Sequence, residues 1–262
     1  MEQTFGTLLK GWRNERRMSQ LDLGLAANVS ARHVSFIETG RARPSRSMVL
    51  QLSETLQVPR PERNALLNAA GFAAAYEKRD LDADEMAHVR AAVDWTLTRH
   101  DPFPAIAVDR HWLVVSANQC GQMLLSGIGL DVGDSLLEAM IHSEAVRDAV
   151  VNWPEVAHHT MMRLRTESTH LGGDPVLDEA ANRLSEEIGT SLPHDGATLP
   201  AVVPATYRAN GMELSFFSTI AQFGTAEDIA LADLKIELMF PADGVTRQLL
   251  LAGQPQGSGS TT

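Results

Sequence analysis

The segment at 30–40, SARHVSFIETG, concentrates side chains suited to touching stacked bases, and Arg41, Arg43 and Arg46 follow it directly. A guanidinium carries a planar fork of donors that matches the two acceptors on a guanine edge, and any of these cations can also meet a phosphate oxygen. The spacing decides which of them can act together. Ser30 is a helix-capping residue, so a helix begins there, and Val34 and Ile37 turn its apolar face inward. Ala31, Arg32, His33 and Phe36 then project outward from the early turns, Thr39 closes the helix, and Gly40 stops it. The expected nucleic-acid contacts are Ser30, Ala31, Arg32, His33, Phe36, Thr39, Arg41, Arg43 and Arg46, with Arg32 aimed at a base edge or, failing that, a phosphate.

Other chemistries find less support. No HExxH, CxxC or GxSxG pattern occurs, and neighbouring His158 and His159 would project about 100° apart on a helix, wrong for shared ligation. Gly127, Gly129 and Gly133 match no phosphate-cradling spacing and read as loop punctuation. Asp178, Glu179, Glu186 and Glu187 read as a solvated helix face. The expectation is a protein that is not an enzyme and holds no metal.

The elements that must position the arginines are also legible. Ser19 caps a preceding helix with Leu23 and Ala27 inward, and Asn28 suits the left-handed residue of a tight turn before Ser30. Phe5, Leu8, Leu9 and Trp12 lie on one helical face. Val49, Leu52, Ser53 and Leu56 repeat that spacing after Pro44 and Ser45, and a last helix starts at Pro61 and ends near Gly71. This is an all-α five-helix domain over 1–72, large enough to fold without disulfide or metal.

The residues Ser19-Gln20, Leu23, Ala27-Asn28-Val29-Ser30, Ile37-Glu38, Gly40 and Pro44-Ser45 make this head resemble the lambda-repressor-like, or XRE-type, helix-turn-helix family. The resemblance implies sequence-specific binding of double-stranded DNA, with Gln20 as a phosphate clamp. Asn28 replaces the usual turn glycine, Phe36 occupies a usually polar outward site, and Gly24 stands where Ala is usual. Gly24 should lose about 1 kcal/mol of helix propensity, recoverable if the two helices approach closely there.

Charge divides the chain in the same place. Residues 1–80 hold twelve Lys and Arg against eight Asp and Glu, or +4, so the remainder must carry −15 to give the chain's −11. A basic head avoids repulsion by phosphates while an acidic body discourages non-specific DNA binding. The 262 residues, 44% apolar, suffice for two cores. Cys120 stands alone and cannot form an internal disulfide. The start MEQTFGTLLKGW lacks a signal-type apolar run, and no segment approaches the ~20 apolar residues of a spanning helix, so a cytoplasmic protein without membrane contact is expected. The polar end QPQGSGSTT is expected to form a disordered tail over 252–262.

After a linker over 73–84 the texture changes. Met86, Val89, Val93 and Leu97 mark a helix, and two apolar runs at 105–109 and 112–117 form a candidate hairpin. Helices return from 119 to about 192. Ser143 begins one, Val156, His159, Met162 and Arg163 lie along another, and Asp174-Pro175 starts a third with Val176, Leu177, Ala181, Leu184 and Ile188 inward. Strands are expected at 201–207, 212–220 and 233–240, with Asn210-Gly211 as the hairpin turn. Two strands, a helical insertion and three strands is the order of a PAS-like α+β domain with a five-stranded antiparallel sheet, placed here at 85–251.

The stretches AVDRHWLVVSAN, NWPEVA with RLRTES, and LSFFSTIAQFGTAEDIALADLKIELMFPAD resemble the ligand-binding domain of MmyB-like transcription regulators. That resemblance implies a PAS-like sensor for a fatty-acid-like or other apolar small molecule, here the expected bound ligand. Candidate pocket residues are Trp153, His158, Met161, Met162, Arg163, Tyr207, Phe216 and Ile220, with Met140, Phe217, Phe223, Met239 and Phe240 as further apolar candidates. His158, Tyr207 and Arg163 are the possible polar anchors. Alternation puts Leu214, Phe216 and Ser218 on one face of their strand and Phe217 and Thr219 on the other, so one set lines a cavity.

The expected whole is a homodimeric, cytoplasmic transcriptional repressor on an inverted-repeat operator, modulated by an apolar ligand. Two other classes stay open: an enzyme acting on the small molecule, and an antitoxin-like DNA binder whose carboxy-terminal half binds a protein.

Overall fold

Four hydroxyl side chains set the starts of the first helices in the computed structural model, which describes residues 4–189, 202–209, 211–224 and 226–252. Thr4 caps α1 (Phe5–Glu15), Ser19 caps α2 (Gln20–Ala26), Ser30 caps α3 (Ala31–Glu38) and Ser45 caps α4 (Arg46–Thr55). Each side-chain oxygen accepts from a backbone N–H three residues on, satisfying a donor the helix cannot, for about 1 kcal/mol. Ser19 and Asp22 form a reciprocal capping box. The fifth helix, α5 (Arg60–Ala69), has no side-chain cap and carries Pro61 in its first turn.

Asn28 adopts φ 51° between α2 and α3, and Gly40 (φ 72°) follows α3, as their residue types require. Gly24 is buried against that turn, where an added Cβ would lie 2.7 Å from the Val29 carbonyl oxygen. Its lost propensity is therefore exchanged for a close approach. Leu9, Leu23, Val34, Leu52, Leu66 and Leu67 form the centre of the core, each at most 1% exposed.

Among the described residues the chain forms two compact units: 4–79 with 169–174 and 226–232, and 80–168 with 175–189, 202–209, 211–224 and 233–252. The second unit begins with a 3-10 turn and α6 (Ala87–Arg99), whose Val89, Val93 and Leu97 are buried. A hairpin follows, β1 (Ala105–Val108) and β2 (Val114–Ala117), shorter at its second strand than the sequence reading because Trp112 takes φ 61° and breaks the extension. Then come α7 (Gln119–Gly127), α8 (Leu136–His142), α9 (Glu144–Ala149), α10 (Trp153–His170) and α11 (Pro175–Ile188). The chain closes with β3 (Ala205–Ala209), β4 (Met212–Gln222), α12 (Ile229–Asp233), β5 (Lys235–Pro241) and α13 (Gly244–Ala252).

The five strands form one antiparallel sheet in the order β2-β1-β5-β4-β3. This is the α+β, PAS-like arrangement that the element order implies. All four residues of β1 are buried, as suits a strand flanked by neighbours on both sides. Asn118 fixes the crossing from β2 into α7: its Oδ1 accepts from Ala105 N (2.9 Å) and Gly121 N (2.8 Å), and its Nδ2 donates to Leu97 O (3.1 Å) and Phe103 O (2.8 Å).

Several local expectations need correction. Val176 is 48% exposed while Leu177, Ala181 and Leu184 are buried, because the first turn of α11 presents its N-terminal apolar residue outward. Glu187 is not simply solvated: it pairs with Arg147 (2.6 Å) and accepts from the Trp153 indole (3.1 Å). Strand β3 starts at 205 instead of 201 and reaches 209, and the helices α12 and α13 were not foreseen. Residues 190–201, the turn residue Asn210 and the tail beyond 252 lie outside the described residues.

Candidate functional site

The capping that starts α3 also presents its first turns. Ser30 Oγ accepts from His33 N (3.1 Å), and Val34 and Ile37 are buried, so Arg32 is exposed and Ala31, His33 and Phe36 are half-buried around it. The Arg32 guanidinium lies over the Phe36 ring, 5.1 Å from its centroid. That i, i+4 contact gives the unusual outward aromatic a physical role, holding the arginine along the helix. Thr39 is exposed with its hydroxyl donating to Ser35 O (2.8 Å). Arg41, Arg43 and Arg46 are all exposed in and after the loop leaving α3.

Gln20 is anchored from below. Its Nε2 donates to Glu38 Oε2 (2.8 Å), while Glu38 takes two bonds from Arg13, Nε to Oε1 at 2.6 Å and Nη2 to Oε2 at 3.0 Å. Arg13 Nη1 also donates to Met18 O (2.7 Å). Glu38 is 2% and Arg13 9% exposed, so this is a buried, fully connected ion pair between α1 and α3 with a glutamine of α2 attached. That bond uses one of the two hydrogens on the Gln20 amide nitrogen.

In the second unit, the sheet and helices α7 to α10 line a partly open cavity of about 280 Å³. Ile106 and Val108 of β1, Leu124 and Leu125 of α7, Met140 of α8 and Met239 of β5 give it an apolar wall. Phe216 and Ser218, alternate residues of β4, share that wall; Phe217 also borders the cavity although its ring stacks on Phe240 at 5.7 Å. Along α10 the spacing Trp153, Val156, Thr160, Arg163 brings one helical face to the space, with His159 beside it.

Of the sequence-derived candidates, Trp153, Arg163, Tyr207 and Phe216 therefore meet at one cavity. The remainder sit elsewhere. Met161 is buried on another face of α10, Met162 and Ile220 are 47% and 45% exposed, and His158 is edge-on to His159 instead of facing the space. Among the further apolar candidates, Met140, Phe217 and Met239 border the cavity; Phe223 and Phe240 do not.

A charged cluster underlies the polar part of the wall. Arg163 donates from Nε to Glu167 Oε1 (2.8 Å) and from Nη1 to Glu237 Oε1, and stands 4.2 Å over the Trp112 ring. Glu167 Oε2 accepts from Lys235 Nζ (2.7 Å) and from the Trp112 indole (3.0 Å). Burial alone would raise the Glu167 pKa, but Lys235, Trp112 and Arg163 together hold it below its usual value. Burial lowers the Lys235 pKa, an effect Glu167 only partly offsets. Burial, helped by Glu237, pushes the Tyr207 phenol up to about 12, so it remains a protonated donor. Trp112, Glu167, Lys235 and Glu237 were missed by sequence reasoning. They come from three separate segments, and no spacing connects them.

A helix-turn-helix head and an α+β domain with an apolar cavity, carried on one chain, define a ligand-binding transcription regulator. A family model for a helix-turn-helix domain matches residues 4–66, and the MmyB-like transcription regulator ligand binding domain matches residues 89–252. The second match spans more than half the chain, and the chain belongs to this MmyB-like family of DNA-binding transcription regulators. No curated protein matches it. No described helix is long and apolar enough to cross a membrane.

Proposed function

We propose that this regulator is a cytoplasmic, homodimeric, non-enzymatic repressor whose grip on an inverted-repeat operator changes when an apolar small molecule fills the cavity of the second unit. The observation that carries the ligand reading is that cavity: about 280 Å³ with a predominantly aliphatic and aromatic wall. At about 30 Å³ per water-sized group it takes about nine heavy atoms, so the fitting chain is of medium length. Burying nine methylenes at about 0.8 kcal/mol each gives a gross gain near 7 kcal/mol, the scale of micromolar binding before ordering costs.

Arg32 is the base reader, supported by Phe36, and Gln20 with Arg41, Arg43 and Arg46 supplies phosphate contacts that set register. Ser30, Ala31, His33 and Thr39 complete the interface. One head reads only a few base pairs, so useful affinity favours two heads on half-sites about one helical turn apart. Ligand shifts the balance between DNA-competent and incompetent arrangements by its differential affinity for the two, on the scale of about 1–3 kcal/mol.

Native mass spectrometry of the full chain, purified without detergent, tests the ligand reading. A co-purified medium-chain molecule supports a sensor, a processed product points to an enzyme, and a retained protein points to an interaction module. Footprinting that finds one unsymmetrical half-site, with a monomer by sedimentation at micromolar protein, overturns the dimer reading.

A further inference from the structure

The polar part of the cavity wall differs from what a fatty-acid carboxylate would need. Arg163 borders the cavity, but both its Nε and its Nη1 are already engaged by carboxylates, Glu167 and Glu237, and Glu237 itself borders the same space. Lys235, the second cation, is 7% exposed and spent on Glu167. Two cations against two anions leave the cluster neutral. The Nη2 of Arg163, by contrast, is buried with no hydrogen-bond partner. A buried donor without an acceptor is costly, and in a ligand-sized cavity the missing acceptor is most simply supplied by the ligand.

We propose that the cavity selects an apolar ligand whose polar end is an uncharged oxygen acceptor, a hydroxyl or carbonyl, set on Arg163 Nη2, and discriminates against the carboxylate of the same chain length. This rests on the reading of the cavity as a ligand site. A neutral oxygen satisfies the orphan donor and brings no charge into the wall. A carboxylate satisfies it too, but places a third anion beside Glu237 and Glu167 with no cation left to balance it, and like charges held out of water repel. The protonated Tyr207 hydroxyl on the same wall offers a further donor to a neutral oxygen.

Calorimetry of the full chain with octan-1-ol, 2-octanone and octanoate, sized to the cavity, at neutral pH tests this. The alcohol and the ketone are expected to bind at least about tenfold more tightly than the carboxylate, about 1.4 kcal/mol. Glu237→Gln, which removes one wall anion and keeps the shape, is expected to narrow or reverse that preference. Arg163→Met should weaken the neutral probes, with far-ultraviolet circular dichroism confirming that the variant is folded. Octanoate binding as tightly as octanol to the unaltered protein, or an unchanged preference in the folded Glu237→Gln protein, overturns the inference and leaves the apolar-ligand reading standing. Binding of none of the three probes overturns both.

Discussion

Removing Glu38 should weaken the head more than any exposed arginine substitution. The carboxylate is 2% exposed and receives three hydrogen bonds, two from Arg13 and one from Gln20. The Glu38 hydrogen bond raises the Arg13 pKa further, so the guanidinium stays charged throughout. In Glu38→Ala, Arg13 keeps its bonds to Met18 O and Asn14 Oδ1 but loses its counter-ion inside the core. An uncompensated buried charge costs about 3–5 kcal/mol, a large share of the about 5–15 kcal/mol that typically holds a domain together. With a urea dependence of about 2 kcal/mol per molar, the unfolding midpoint of the head should fall by about 2 M. Urea-dependent hydrogen exchange, followed on peptides from 5–69, reports that region separately from the second unit. The companion double variant Arg13→Met, Glu38→Leu removes both charges and should recover at least half of the loss. A midpoint change below about 0.5 M in Glu38→Ala would refute the reasoning, as would a double variant no more stable than the single one. Gln20 loses its anchor in both, so operator affinity should fall in the double variant even where stability returns.

Arg32→Ala should cost about 1–3 kcal/mol of operator binding and relax preference at one position of each half-site, read by titration against matched and mutated operators; equal loss on every sequence would make Arg32 a phosphate contact. Glu167→Gln should destabilise the second unit by about 3 kcal/mol at neutral pH. Because Glu167 is held below its usual pKa, its stabilisation is present above the unfolded value of about 4.3 and lost as pH falls through the folded value. The gap between variant and parent in urea midpoints should therefore close in acid, and a gap that stays constant would contradict the ion-pair account. Gly121→Ala should lower stability by about 1–3 kcal/mol, since the new Cβ would lie 2.6 Å from the Ala105 carbonyl oxygen; thermal unfolding unchanged from the parent would show that α7 can shift freely.

The sequence by itself determined what is local. Helix starts at Ser19, Ser30 and Ser45, the left-handed residue Asn28 and the inward pairs Val34 and Ile37 follow from capping, backbone and periodicity rules that act within a turn or two. The exposure of Arg32, Arg41, Arg43 and Arg46 was readable for the same reason: a helix end fixes which neighbours share its outer surface. The five strands were countable from alternation, though β2 was cut short at Trp112 and β3 displaced toward the hairpin. What only the tertiary structure decided is which side chains meet across segments. Gln20 reaches Glu38 because α2 and α3 cross closely at Gly24, and Arg163 reaches Glu237 because α10 lies against the sheet strand β5. Residue types along α10 gave His158 and Arg163 equal standing as anchors; packing placed His159 and Arg163 at the cavity and left His158 off its wall, edge-on to His159. A cavity is a space bounded by residues far apart in the chain, and buried charge is tolerated only where partners converge. Neither property is carried by spacing, so both were settled by the fold.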